Sequence, residues 1–172
     1  MYSVDEKDKV VELEDAPQSS IGAPLPFVLS DEHTLLLAYL IQDTPPDWDG
    51  SSVRIVYPNS TNEPVALIEF GGYYAYMFGP PNDEAFHAHP LADRGLHPYG
   101  VFQVENSSWI RQLERMNSVH PYHKAERFKG LKHYVFAFHD STFESIAEGY
   151  RVREYGGSLE GLLAEMQKRL WR

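Results

Sequence analysis

The chain has 172 residues, a formal net charge of −10, and is 42% hydrophobic and 13% aromatic, which is the size of one domain and the composition of a globular protein. It contains no cysteine, so disulfides, thiolate nucleophiles, zinc–cysteine sites and iron–sulfur clusters are excluded. The negative charge repels phosphate backbones and argues against nucleic-acid binding.

Residues 1–24 form a polar, acidic lead-in, with Asp5, Glu6, Asp8, Glu12, Glu14 and Asp15 against Lys7 and Lys9. Val10, Val11 and Leu13 are the positions in it that can dock. Met1-Tyr2-Ser3-Val4-Asp5-Glu6 carries neither the basic nor the apolar region of a secretory signal. No apolar run approaches the ~18 residues of a membrane helix. A cytoplasmic protein without membrane contact is expected, with residues 25–172 as a single domain.

Phe27–Leu29 and Thr34–Gln42 read as strands joined by Ser30-Asp31-Glu32-His33, which has turn chemistry. Val53–Tyr57 alternates as a short strand. Val65–Phe70 and Tyr73–Phe78 are apolar and aromatic runs around Gly71-Gly72. That pair suits a two-residue hairpin turn or a bulge inside one long strand. A proline- and glycine-broken loop, 79–100, follows, and Tyr99–Val104 is the next strand.

A helix is predicted from Asn106 or Ser107, with Trp109, Ile110, Leu113 and Met116 on one stripe. The connection 118–130 is basic. His133–His139 alternates with both faces largely apolar, as in a central strand, and Phe143–Val152 reads as the strand after it. Gly156-Gly157 breaks the pattern. Ser158 caps a last helix whose stripe is Leu159, Leu162, Leu163, Met166 and Leu170, with Arg169 and Arg172 near its end. Strands and helices do not alternate regularly. The expected fold is therefore α+β: a mostly antiparallel sheet of about six or seven strands, with two helices packed on one face.

The residue types that carry chemistry gather in and around the broken loop. His87 and His89 stand two apart, a spacing that on a strand turns both rings to one side and can grip a metal. His97 and His139 complete a candidate ligand set for a divalent transition metal such as zinc, with Asp93, Asp140 and Glu144 as a pocket rim. Pro80-Pro81 before and Pro90 after the pair argue against a strand there. The competing reading has no cofactor, and its imidazoles pin proline-rich turns through backbone hydrogen bonds.

His139-Asp140-Ser141-Thr142 holds the residue types of a serine triad. Adjacent strand residues face opposite ways, however, and no Gly-x-Ser-x-Gly elbow exists. Glu144 and Glu148 stand four apart, as an acid–base pair on one strand face, and read as solvent-exposed carboxylates. His120-Pro121-Tyr122-His123-Lys124 with Arg127 could hold an anion. Tyr73, Tyr74, Tyr76 and Phe78 could line an apolar ligand pocket. No glycine cluster has phosphate-loop spacing.

Ser107–Ala147, with Asn106-Ser107-Ser108-Trp109, Met116-Asn117-Ser118-Val119-His120-Pro121 and Phe138-His139-Asp140-Ser141-Thr142-Phe143-Glu144, resembles a family of bacterial hypothetical proteins to which no function is attached. His89-Pro90-Leu91 with Arg94-Gly95-Leu96 carries the same resemblance. It spans the second half of the chain and implies a bacterial cytosolic origin and no particular chemistry.

With no complete catalytic constellation, the expected function is a non-enzymatic binding or regulatory domain, immunity-like or ligand-binding. Its expected partner is a protein or a small molecule, with a homodimer admitted. The alternative is a metal-dependent enzyme using the histidine loop with His139.

Overall fold

The computed structural model describes residues 2–44, 48–51 and 55–170. Among the described residues, nine strands form two antiparallel sheets. They are β1 (Lys9–Glu12), β2 (Phe27–Ser30), β3 (Leu35–Leu40), β4 (Glu63–Gly71), β5 (Ala75–Gly79), β6 (Val101–Glu105), β7 (Lys132–Ala137), β8 (Thr142–Ala147) and β9 (Gly149–Gly157). One sheet runs β1-β6-β7-β8-β5 and the other β2-β3-β4-β9. The helices are α1 (Ser108–Asn117), the single turn α2 (Glu126–Lys129) and α3 (Leu159–Gln167).

The α+β class and the antiparallel pairing are as the sequence predicts, but the arrangement differs in three respects. There are nine strands in two sheets. The helices lie on opposite outer faces, α1 against the five-stranded sheet and α3 against the four-stranded one. The acidic lead-in supplies a strand, with Val10 opposite Val104, and Tyr2 is buried among core residues. Of the strand predicted at 53–57, Val53 and Arg54 lie outside the described residues, and residues 55–57 are not in a strand. Arg172 also lies outside them.

Burial on both faces of each sheet explains the continuous apolar runs. In β3, Leu35, Leu37 and Tyr39 face the core between the sheets, while Leu36, Ala38 and Leu40 pack toward α3. In β7, Tyr134 and Phe136 face inward, and Val135 and Ala137 face outward toward α1 and the histidine loop. Phe70, Phe136, Phe143 and Tyr150 meet in the inter-sheet core at centroid distances of 5.4–6.1 Å, edge-on or tilted. Each large apolar side chain buried there stabilises the fold by roughly 1.5–3 kcal/mol.

The Gly71-Gly72 hairpin does not form. The flanking strands belong to different sheets, and the chain bends across from β4 to β5. β8 crosses to β9 at the adjacent point, where the predicted strand 143–152 divides at Glu148. Gly71 is paired with Gly149, and the Glu148 N–H donates to the Gly71 carbonyl at 3.0 Å. Gly72 has φ +57, and a Cβ on it would lie 2.7 Å from the Glu148 side chain. Such corners are where strands change sheets in orthogonally packed sandwiches. Gly156 and Gly157 remain within β9, paired with Pro64 and Glu63.

Candidate functional site

The four imidazoles of the predicted ligand set do not converge. His87 is exposed on a one-turn 3-10 segment. His97 is exposed, 3.1 Å from Glu12, with its ring edge-on to Phe102. His139 lies 3.1 Å from Asp140 and 4.0 Å from Asp83. Only His89 points inward, 4% exposed. Asp93 and Asp140 are exposed, so they form no rim with Glu144. Among the described residues, no group of three or more histidine, aspartate or glutamate side chains could hold a metal ion.

Glu144 is not an exposed carboxylate. It sits on the outer face of β8 beneath α1 and the histidine loop, 7% exposed, while Glu148 is exposed beyond the strand end. Three groups from distant parts of the chain donate to it. The Tyr2 hydroxyl reaches Oε2 at 2.6 Å, His133 Nε2 reaches Oε2 at 2.8 Å, and His89 Nε2 reaches Oε1 at 3.3 Å. The Tyr2 ring stacks on Trp109 at 5.4 Å, and both rings stand edge-on to His133.

The surrounding bonds assign the protons. The Leu91 N–H donates to His89 Nδ1 at 3.1 Å, so in the neutral ring the proton is on Nε2 and points at Glu144. Ser107 Oγ is 2.9 Å from His133 Nδ1 and accepts from the Ile110 N–H at 3.3 Å as the N-cap of α1. Its own proton is therefore free to go to His133 Nδ1. Both imidazoles present Nε2–H, a donor, toward the carboxylate. A metal ligand needs the opposite tautomer, with a bare Nε2 and an outward Nδ1–H.

Ser107, His133 and Glu144 thus stand in the order of a hydroxyl–imidazole–carboxylate relay, but all three are buried. The hydroxyl is committed to a helix cap, so no substrate reaches it.

Burial by itself pushes the Glu144 pKa up. The hydrogen bonds from His133 and His89, with their attraction when charged, outweigh it and bring the carboxyl from 4.5 down to about 2. Burial and then the Glu144 charge push the Tyr2 hydroxyl up. Asp8, 3% exposed, completes the seal. Its carboxylate accepts from the Ser108 N–H at 2.6 Å and the Asp5 N–H at 2.8 Å, and its carbonyl accepts from Arg94 at 2.8 Å. This cluster ties the N-terminal segment, the loop, α1 and two strands together, and it is a structural element.

The accessible feature of the same sheet is its β5 edge. β5 is the last strand of its order. Ala75 and Met77 pack inward on the outer-face core. Tyr76 and Phe78 lean on Phe143 but remain 39% and 43% exposed, and Tyr74, against Phe128 of α2, is 45% exposed. The predicted tyrosine pocket is thus an open ledge. Tyr76 bonds Ser30 Oγ at 2.8 Å, and the Tyr73 hydroxyl donates to the Asp31 carbonyl, which fixes the rings.

Charge divides along this edge. At its start stands α2, whose Phe128 meets Tyr74, with Lys124 just before it and Arg127 and Lys129 within it, Lys129 paired with Glu126. Past its end lie Asp83, Glu84 and Asp140, because Gly79 pairs with Thr142 and the Asp83 N–H donates to the His139 carbonyl. An apolar groove of 480 Å³ opens elsewhere, between Leu25, Phe27, Pro58, Leu159 and Leu163, with Tyr57 and Glu160 as its ionisable residues.

Sequence reasoning gave Ser107 as a helix cap but missed its bond to His133, and it missed Tyr2 and His133 as partners of Glu144. The available signal was a lone histidine within the buried alternation of β7. Compared with known proteins, the chain matches no family model, no curated protein and no solved structure.

Proposed function

We propose that this protein is a non-enzymatic binding domain that takes an extended segment of a protein partner onto the free edge of β5. One observation carries the reading: among the described residues no strand covers that edge, and Ala75-Tyr76-Met77-Phe78-Gly79 contains no charge and no proline. Sheet edges left this way invite pairing, and natural proteins usually blunt them with lysine, proline or a bulge. Strand addition supplies main-chain hydrogen bonds, and alternate side chains supply selectivity. Tyr76 and Phe78 offer aromatic contact on one side of the strand. The acids past its end suit a segment that brings lysine or arginine there.

Selection of phage-displayed random peptides on the immobilised protein tests this. Extended aromatic or β-branched sequences with a basic residue at one end are expected. They should lose binding to a Tyr76→Lys/Phe78→Lys variant that keeps the wild-type circular dichroism spectrum. Peptides that bind that variant as well as the wild type would refute the proposal.

A further inference from the structure

Resting on the reading of β5 as a pairing edge, we infer that the strand added there is β5 of a second copy of this chain, antiparallel across a two-fold axis near Met77. The segment is its own complement. In that register Tyr76 of one copy lies opposite Phe78 of the other, twice, and Ala75 lies opposite Gly79. Cross-strand aromatic pairs are among the better sheet contacts. The two exposed rings of β5 would cover each other, and a two-fold contact closes on itself, so no open fibre forms.

The charges favour this register. Tyr74, with α2 beside it, lies opposite Pro80 of the other copy, and Asp83 and Glu84 follow directly. A two-fold axis perpendicular to the sheet keeps the outer faces together. Lys124 and Arg127 of each copy are thereby brought to Asp83 and Glu84 of the other, at two equivalent places. Asp83 is already engaged by Tyr99. The Glu84 carboxylate has no bond of its own among the described residues, which leaves it as the acceptor. The net charge of −10 opposes association at long range, but at physiological salt that repulsion is screened beyond ~8 Å, while contacts across the edge act within it.

Sedimentation equilibrium of the full chain, together with amide hydrogen exchange read as a function of protein concentration, tests the inference. A dimer is expected, with the β5 amides that point away from β8 protected only at concentrations where it forms. The Tyr76→Lys/Phe78→Lys variant places lysines opposite one another and should raise the dissociation constant by roughly tenfold or more. Arg127→Glu and Glu84→Lys alone should each weaken association, and the two together should recover part of it, because the exchanged 84–127 pair is again attractive while Lys124 and Asp83 keep their charges. A dimer unaffected by the lysine pair, or a double swap as weak as the single ones, overturns the inference. A strictly monomeric protein also overturns it. In that case the β5 edge reading is judged separately by the peptide selection.

Discussion

Tyr2 and Glu144 are 142 residues apart in sequence and 2.6 Å apart in the structure. The hydroxyl of the second residue closes over a carboxylate on a strand near the far end of the chain. Replacing Tyr2 by Phe keeps the stacking on Trp109 and removes one donor. The carboxylate then loses a bond it cannot recover from water, at a cost of ~1–3 kcal/mol. Tyr2→Ala also removes the ring and should cost about 3–5 kcal/mol. Urea unfolding of the two variants separates the contributions: a Tyr2→Phe variant as stable as the wild type would show that the hydroxyl contributes nothing, and equal losses would show that the ring adds nothing.

Acid should unfold the protein through the same carboxylate. The folded pKa of Glu144, about 2, lies below its ordinary 4.5. The unfolded chain therefore binds this proton more readily than the folded one. The resulting stability is fully present above pH 4.5 and is lost as pH falls from there toward 2, on the order of 3 kcal/mol in all. Glu144→Gln should flatten that limb. It should also destabilise the protein at pH 7, because an amide turns an N–H toward imidazole donors. A variant as acid-sensitive as the wild type would show that other carboxylates govern the transition.

The sequence makes β3 as an apolar strand, the alternation of β7, the caps at Ser107 and Ser158, and most of the apolar stripes of α1 and α3 legible, because each is written within a few residues; Met116, predicted on the α1 stripe, is exposed. Two features escape it. Gly71-Gly72 supplies the same positive φ to a hairpin as to a corner, and what marks the corner is Glu148, between β8 and β9, whose side chain occupies the space a Cβ on Gly72 would need. Glu144 lies between Phe143 and Ser145, and a glutamate in a strand reads as solvent-facing until its donors are known. Those donors come from residues 2, 89 and 133. The histidine loop is conspicuous in the sequence because of its residue types. Of its three imidazoles only that of His89 is buried.

That unequal burial has a measurable consequence within the loop. His89 bonds Leu91 and Glu144 and lies against Phe86 at 5.7 Å, whereas His87 points into solvent. His89→Ala should cost about 2–4 kcal/mol through a cavity and an undersatisfied buried carboxylate, and His87→Ala should stay within ~0.5 kcal/mol of wild type. Dialysis against EDTA should leave the melting temperature of the wild type unchanged. A fall on chelation, or similar losses in the two alanine variants, would return a shared metal ion to consideration.

Ser107 and Ser158 offer a matched comparison, because both cap helices through the hydroxyl. Ser107 accepts from Ile110 at 3.3 Å, and Ser158 accepts from Gly161 at 3.0 Å. Losing an N-cap costs ~1 kcal/mol in typical hosts, so Ser158→Ala sets the local baseline. Ser107→Ala removes the cap and also leaves His133 Nδ1 buried without its donor, adding ~1–3 kcal/mol. The excess of the first loss over the second therefore measures the hydroxyl–imidazole bond. That excess should shrink in a His133→Phe background, where the ring nitrogens are gone. A double-mutant cycle with no coupling would show that Ser107 is a cap alone and that the buried relay ends at His133.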